Sequence, residues 1–259
     1  MRIEAKEIRR DFLRKGRGTN ILTAVQECNI TFESGTLSMI VGRSGSGKST
    51  LLHMLSGVLA PTAGKVLYEG EDLFAMPDER RSAFRNRHIG FVPQGAGGIA
   101  SLTVRENILL PVSLFGQQKE GASKDATPEK SGSKGLHLGE AGSKGLGFEK
   151  TSSADALQRA EEWMQLFGIT TLADARPSEL SGGELRRMAI ARALIQNPEA
   201  IFADEPTGDL DDENTRLVFE MLRQAAKDGA AVVVVTHENE GERYADRLYR
   251  MNAGVLTEE

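Results

Sequence analysis

Residues 42–50 read Gly42-Arg43-Ser44-Gly45-Ser46-Gly47-Lys48-Ser49-Thr50. They follow an apolar stretch at 36–41, which predicts a buried strand, and they lead into a helix predicted over 48–56. A glycine-rich loop that joins a strand to a helix and ends in Lys and Ser is typical of a phosphate-binding loop. Its glycines let backbone N–H groups turn toward phosphates, and the helix N-terminus adds a partial positive charge. We therefore expect all nine residues to bind a nucleotide, with Lys48 on its β- and γ-phosphates and the Ser49 hydroxyl on Mg²⁺. A plain Gly/Ser turn is the competing interpretation.

Short apolar strands alternate with helical patterns along most of the chain. This alternation predicts an α/β fold with a mainly parallel sheet flanked by helices. Two more buried strands are predicted at 200–204 and 230–236. Ligands of such sheets bind at the carboxyl ends of the strands. Five candidate residues should therefore meet at one edge: Gly42, Gln94, Asp204, Glu205 and His237.

The 259 residues are compatible with one large α/β domain, and we expect a single domain over 1–259. Between 116 and 153 the composition shifts to Gly, Ser and Lys, with an imperfect repeat at 132–136 and 142–146, which predicts a flexible insertion. It joins a helix that begins at a capping box, Thr103 to Glu106, to a helix predicted over 154–167. A partner-binding role is the alternative to a plain solvated loop.

An acidic pair, Asp204-Glu205, follows the strand predicted at 200–204. Successive side chains of a strand point to opposite faces, so the two carboxylates should have different roles. We expect Asp204 to hold the metal through water and Glu205 to act as general base on the attacking water. A solvated acidic strand end is the alternative. A GTPase would need an Asn-Lys-x-Asp guanine-reading motif, which the sequence lacks.

A second glycine-rich stretch reads Leu180-Ser181-Gly182-Gly183-Glu184. Ser181 and Glu184 have the spacing of a capping box and predict a helix over 185–195. Each glycine in a first turn lowers helix stability by about 1 kcal/mol relative to alanine, which a cap alone does not explain. Close approach of the backbone to phosphate does explain the glycines, and both interpretations can hold together. Because one nucleotide should not need two glycine loops of one chain, we expect ATP to lie between two copies.

Composition and charge exclude several classes of protein. The net charge of -5 lacks the basic excess of a nucleic-acid binder. The N-terminal residues do not resemble a signal peptide, and the longest apolar run, 230–235, is far below the roughly 20 residues of a membrane helix. The single cysteine, Cys28, fits a reducing compartment and is interpreted as a small core residue. We expect a cytoplasmic protein whose membrane spans, if it needs them, come from another chain.

These motifs and the stretch Gly208-Asp209-Leu210-Asp211 occur in the order found in ATP-binding subunits of ABC transporters, which the sequence resembles over nearly its whole length outside the insertion. Residues 176–184 and 203–208 are similar to the lipoprotein-releasing and macrolide-export branch. The resemblance implies a P-loop ATPase core with a helical subdomain at about 95–196 and an antiparallel strand region at the N-terminus. It also implies a head-to-tail dimer, in which the 42–50 loop of one copy and the 181–183 loop of the other clamp each ATP-Mg²⁺.

The resemblance assigns roles to three residues that carry little information alone. Gln94 would touch Mg²⁺ and relay its state to a membrane partner, and His237 would contact the γ-phosphate and orient the attacking water. As bare residues, both would be interpreted as ordinary loop residues. Phe12 resembles the aromatic residue that stacks on adenine, where the family usually has Tyr, and a core phenylalanine is the alternative.

Three positions depart from the family pattern. Gln94 is followed by Gly95-Ala96-Gly97-Gly98, where the family has bulkier residues, which implies a looser contact with the membrane subunit. Asp209 replaces the more usual Asn or Ala, and Glu238 replaces Asp. None of these changes removes a group needed for hydrolysis.

The predicted function is that of an ATPase subunit that dimerises on ATP-Mg²⁺. It would power a separate membrane permease from the inner face of the cell membrane, for lipoprotein release or for peptide or drug export. The alternative is a mechanical or signalling module that acts on a membrane protein without transport. A DNA-repair or chromosome-type ATPase would need a long heptad coiled coil between the two glycine loops, which the sequence lacks.

Overall fold

The computed structural model describes residues 1–14, 20–95, 97–115, 153–208, 210–237 and 241–259. Most of the predicted insertion, residues 116–152, lies outside these residues. So do three positions at which the sequence departs from the family pattern, Ala96, Asp209 and Glu238.

A six-stranded sheet forms the centre of the fold. Its strands are β3 (Leu37–Val41), β6 (Ile89–Val92), β7 (Ala200–Asp204), β8 (Ala231–Thr236), β9 (Arg247–Asn252) and β10 (Val255–Glu258). They lie in the order β10-β9-β3-β8-β7-β6, and all neighbours are parallel except β10 and β9. Every residue of β3, β7 and β8 is buried, as expected for a parallel sheet covered on both faces. The predicted α/β fold is confirmed, and its three predicted strands begin within one residue of the observed positions.

A second, antiparallel sheet contains the N-terminal strands. It consists of β1 (Ile3–Arg14), β2 (Asn20–Phe32), β4 (Ala63–Tyr68) and β5 (Glu71–Asp72), in the order β2-β1-β4-β5. One core is shared by this sheet, helix α1 (Lys48–Leu55) and the central sheet; it includes Ile8, Phe32, Leu51 and Phe202. Cys28 on β2 is partly buried beside this core, and burial raises the pKa of its thiol to about 11. The antiparallel N-terminal region implied by the resemblance is confirmed.

The remaining helices are α2 (Asp78–His88), α3 (Val104–Phe115), α4 (Ser153–Leu166), α5 (Gly182–Leu194) and α6 (Asp212–Lys227). Helices α3, α4 and α5 pack on one another, and Ile108, Met164 and Met188 belong to the core cluster that they share with the sheet. Helix α5 begins at Gly182, earlier than the predicted residue 185, because Ser181 caps it and the two glycines form its first turn. Within the described part of the chain, no helix is both long and apolar enough to cross a bilayer.

Candidate functional site

The 42–50 loop joins the end of β3 to the start of α1, and two of its glycines have no room for a side chain. An added Cβ on Gly42 would lie 2.2 Å from the Met251 carbonyl oxygen, and one on Gly47 would lie 2.2 Å from the Ala24 carbonyl oxygen. Gly47 also caps α1 with a φ of 107°, which favours glycine. The loop is therefore wedged between β2 and β9, with its backbone at the N-terminus of α1.

Lys48 folds back over this loop from the first turn of α1. Its Nζ donates to the carbonyl oxygens of Gly42 at 2.7 Å and Arg43 at 3.2 Å, and it lies 4.0 Å from Glu205 Oε1. Burial lowers the pKa of the ammonium group, while the charges of Glu205 and Asp204 act in the opposite direction. A buried cation is thus held between the loop and two carboxylates.

Asp204 ends β7 and accepts a hydrogen bond from Ser49 Oγ at 3.0 Å. Asp204 is only 2% exposed, and burial raises the pKa of its carboxyl although the Ser49 hydrogen bond acts to lower it. Mg²⁺ prefers oxygen ligands and needs only one or two from the protein when phosphates and water complete its shell. The donor set of Ser49 and Asp204 therefore fits Mg²⁺, and the cation would offset the cost of burying the carboxylate.

Glu205 points toward different partners from Asp204. Its carboxylate accepts a hydrogen bond from Thr236 Oγ1 at 3.0 Å and lies 2.9 Å from His237 Nδ1. The divergence does not come from the alternation of a strand, as the sequence suggested, because β7 ends at Asp204 and Glu205 has a φ of 48°. A non-glycine residue in this left-handed region costs on the order of 1–3 kcal/mol, and such residues cluster at functional sites.

The capping box predicted for the 181–183 loop is confirmed. Ser181 Oγ accepts from the Glu184 N–H at 3.4 Å, and Glu184 Oε2 accepts from the Ser181 N–H at 2.7 Å, which lowers the pKa of Glu184. Among the described residues, an added Cβ on Gly182 would have no heavy atom within 4 Å outside its own turn of helix. At Gly183 the nearest such atom is Leu210 Cδ2, at 3.4 Å. Packing within the described part of the chain therefore does not require glycine at position 182.

Gln94 and Phe12 lie beside the central cluster. Gln94 is exposed just beyond β6, and its carbonyl oxygen accepts from Arg186 Nη2 at 3.0 Å. Phe12 on β1 is partly buried, and the Arg10 guanidinium lies 4.6 Å from its ring centroid. Phe12 pairs with Leu22 on β2. Leu22 is two residues from Ala24, whose carbonyl oxygen lies against Gly47 of the 42–50 loop. Phe12 thus lies on a hairpin next to that loop.

Apart from Gln94 and Phe12, the sequence candidates fall into two groups. Lys48, Ser49, Asp204, Glu205 and His237 meet at the carboxyl edge of the sheet. A cleft of about 630 Å³ opens there along residues 42–44 and His237. The second group, residues 181–183, makes its contacts with α5 and Leu210, and neither contact reaches the cleft.

Two residues that hold site residues in place were missed from the sequence. Arg186 on α5 is only 5% exposed and donates from Nη1 to the Pro93 carbonyl oxygen at 2.8 Å. Nothing in the sequence distinguishes it from a surface arginine. Thr236, which holds Glu205, could have been found, because it is the last residue of β8 and directly precedes His237.

Comparisons with known proteins identify the family of the chain. The family model described as ABC transporter matches residues 25–208. An uncharacterized ABC transporter ATP-binding protein of Methanocaldococcus jannaschii, MJ1508, is 33% identical over 99% of this chain and 98% of its own length. The lipoprotein-releasing system ATP-binding protein LolD 2 of Rhodopirellula baltica is 34% identical over 98% of this chain and 88% of its own length.

A solved structure shows the same fold. The ATP-binding cassette MJ0796, in a dimeric post-hydrolysis state bound to ADP and Pi, superposes with a TM-score of 0.79 at 29% identity, over 99% of this chain and 97% of that one. The chain matches one family over most of its length. It also contains the 42–50 loop, the carboxylate pair at the end of β7 and the 181–183 loop at the start of a capped helix. The chain belongs to the ATP-binding proteins of the ABC transporters and is an ATP-hydrolysing enzyme.

Proposed function

We propose that this ATPase closes as a homodimer on ATP-Mg²⁺ and powers a separate membrane permease that releases lipoproteins or exports peptides or drugs. The observation that carries the dimer is Gly182, a glycine in a capped helix that no packing contact with the described part of its own chain requires. The dimeric state of MJ0796 with ADP and Pi supports closure of two copies around nucleotide. The 34% identity to a lipoprotein-releasing protein supports the export branch.

In the proposed site, the 42–50 loop of one copy and the 181–183 loop of the other copy hold each ATP. Backbone N–H groups of the first loop and the Lys48 ammonium would bind the phosphates. Ser49, Gln94 and, through water, Asp204 would hold Mg²⁺, which neutralises charge on the β- and γ-phosphates when bound. The N-terminus of α5 would add its N–H groups and partial positive charge from the opposite side.

Hydrolysis would depend on Glu205 and His237. Glu205 is held in place by Thr236 and His237, so its carboxylate can accept the proton of an attacking water as general base. His237 is 57% exposed, which allows it to orient that water and to contact the γ-phosphate. Catalysis of this kind consists mainly of positioning and charge stabilisation.

Three further assignments complete the proposal. Phe12 would stack on adenine from the hairpin beside the 42–50 loop. The segment that follows Gln94 would contact the permease and keep the protein at the inner face of the membrane. The whole chain, 1–259, would act as one nucleotide-binding domain with its helical part at about 95–196.

Two variants test the composite site. Glu205→Gln should lower turnover by on the order of 10²- to 10⁴-fold, the usual range for a general base, while ATP binding persists. Ser181→Arg should block ATP-driven dimerisation, measured by analytical ultracentrifugation, and abolish turnover. Ser101→Arg, at an exposed serine before α3, is the matched control and should change neither. Wild-type turnover in Ser181→Arg would refute the composite site.

Co-purification of the tagged chain from its own membranes tests the permease. Recovery of a membrane protein with a large external domain, identified by mass spectrometry, would support the export branch. Recovery of no membrane protein would refute a transport role.

A further inference from the structure

Arg186 links two parts of the chain that belong to different ATP sites in the proposed dimer. It lies on α5, just after the 181–183 loop, and the residue is 5% exposed. Its two terminal nitrogens donate to consecutive carbonyl oxygens, those of Pro93 at 2.8 Å and Gln94 at 3.0 Å. Nη2 also lies 3.8 Å from where a Cβ on Gly208 would be. Helix α5, the Pro93–Gln94 segment and the backbone at Gly208 therefore meet at one guanidinium.

The segment that follows Gln94 is fastened to α5 at further points. Arg192 Nη2 donates to the Gly97 carbonyl oxygen at 2.8 Å. An added Cβ on Gly98 would lie 2.7 Å from Met188 Cε, so this backbone packs directly on the helix. Hydrogen bonds from a charged donor are about twice as strong as neutral ones, and a buried charge is costly to separate from its partners. The segment and α5 should therefore move together.

We propose that Arg186 is a positioning residue that couples the two ATP sites of the dimer. The inference rests on the proposed function, in which Gln94 serves the ATP on its own 42–50 loop and residues 181–183 serve the ATP of the other copy. Arg186 binds the backbone of Gln94 to the helix that carries residues 181–183. A shift of Gln94 at one ATP site therefore displaces the 181–183 loop, which contributes to the second ATP site. We expect the coupling to be favourable, and because coupling is reciprocal, ATP at either site then favours ATP at the other to the same degree.

Arg186→Met in the full chain tests this coupling. We expect it to lower the Hill coefficient of ATP hydrolysis from above 1 to about 1 and, in a Glu205→Gln background, to weaken ATP-driven dimerisation by at least about fivefold, the lower end of usual coupling strengths. ATP binding to the monomer, measured with a fluorescent ATP analogue at low protein concentration, should stay within about twofold of wild type, since Arg186 acts on the contact between sites. Arg186→Lys should restore the Hill coefficient only in part, because an ammonium lacks the planar fork that serves two carbonyls.

Arg159→Met is the matched control. Like Arg186, Arg159 donates to a backbone carbonyl, that of Ile195 at 3.1 Å, but it is only partly buried and its contact is at the opposite end of α5. It should lower thermal stability without changing the Hill coefficient. An equal loss in both variants, or a wild-type Hill coefficient in Arg186→Met, would overturn the coupling role, as would a Hill coefficient of 1 in the wild-type protein. If Arg186→Met does not fold, Arg186→Lys is compared with Arg159→Lys in the same assays, and equal Hill coefficients would again overturn the role.

Failure of this inference can be told apart from failure of the proposed function. If Ser181→Arg blocks dimerisation and Arg186→Met does not weaken it, the composite site holds and only the coupling through Arg186 is wrong. If Ser181→Arg dimerises like wild type, the composite site itself is wrong.

Discussion

Replacing Gly182 with alanine should make the protein more stable and less active. Gly182 is the first residue of α5, its φ lies outside the left-handed region, and an added Cβ meets no heavy atom within 4 Å beyond its own turn of helix. A compatible Gly→Ala change stabilises a protein by about 0.4–1 kcal/mol, chiefly by restricting the unfolded chain. For a protein of this size, that gain corresponds to a rise in Tm of about 1–4 °C.

In the proposed dimer, activity should fall because the methyl group would lie where the phosphates of the other copy's ATP would approach the α5 N-terminus. A displacement of about 1 Å in a reacting complex costs on the order of 100-fold in rate, so we expect a decrease approaching that size in Gly182→Ala. Thermal unfolding of the nucleotide-free protein and ATPase rates over a range of protein concentrations measure the two effects.

The control for Gly182→Ala is Gln165→Ala, at an exposed position of α4, which adds helix propensity and should leave turnover unchanged. A Gly182→Ala protein that is stabilised but turns over ATP at the wild-type rate would refute a phosphate role for this glycine. A destabilised Gly182→Ala protein would refute the argument from open space around its Cβ.

Two more predictions concern Asp204 and Phe12. Asp204→Asn should stabilise the nucleotide-free protein by about 0.5–2 kcal/mol, because burial raises the pKa of this carboxyl and the neutral amide avoids the cost. Since a raised folded pKa favours folding only while the group is protonated, the gain should vanish in acid and grow as pH rises through the folded pKa of Asp204. Calorimetry at several pH values checks this, and a gain independent of pH would contradict it. Phe12→Ala should weaken ATP binding by about 5- to 150-fold, the cost of losing one stacked base, and leave inorganic triphosphate binding unchanged, whereas Phe12→Tyr should bind like wild type. Equal losses for both ligands in calorimetric titration would exclude stacking.

The parts of this fold that could be predicted are those that depend on local patterns. The strand at 200–204 was located to the residue because it is continuously apolar and ends in a charged pair. The 42–50 loop was located because glycines, a lysine and a hydroxyl stand at fixed spacing between a strand and a helix. The capping box at Ser181 and Glu184 was predicted from its spacing, and α5 begins three residues before the predicted residue 185, because the Ser181 cap stabilises a first turn that contains both glycines.

Features that depend on tertiary contacts could not be predicted. Arg186 is buried against the carbonyl oxygens of Pro93 and Gln94, which lie more than 90 residues before it in the sequence and reach α5 only in the folded chain. The left-handed backbone of Glu205 carries no sequence signal either, since a glycine or asparagine would be the usual sign. It is imposed by the Val235 carbonyl oxygen, which accepts from the Glu205 N–H at 2.9 Å, and by Thr236 and His237, which hold the carboxylate.

The charges at the carboxyl edge give a physical reason for joint binding of ATP, metal and the second copy. Lys48 is buried there with two carboxylates, those of Asp204 and Glu205, and all three residues are less than 10% exposed. A nucleoside triphosphate would add further negative charge at the carboxyl edge of the sheet, where the two buried carboxylates already outnumber Lys48. In the proposed site, Mg²⁺ offsets part of that charge and the α5 N-terminus of the other copy adds donors and a partial positive charge. Binding of the nucleotide, the metal and the second copy should therefore be mutually favourable. The metal and the α5 N-terminus of the second copy both offset the negative charge that the nucleotide adds beside the two carboxylates.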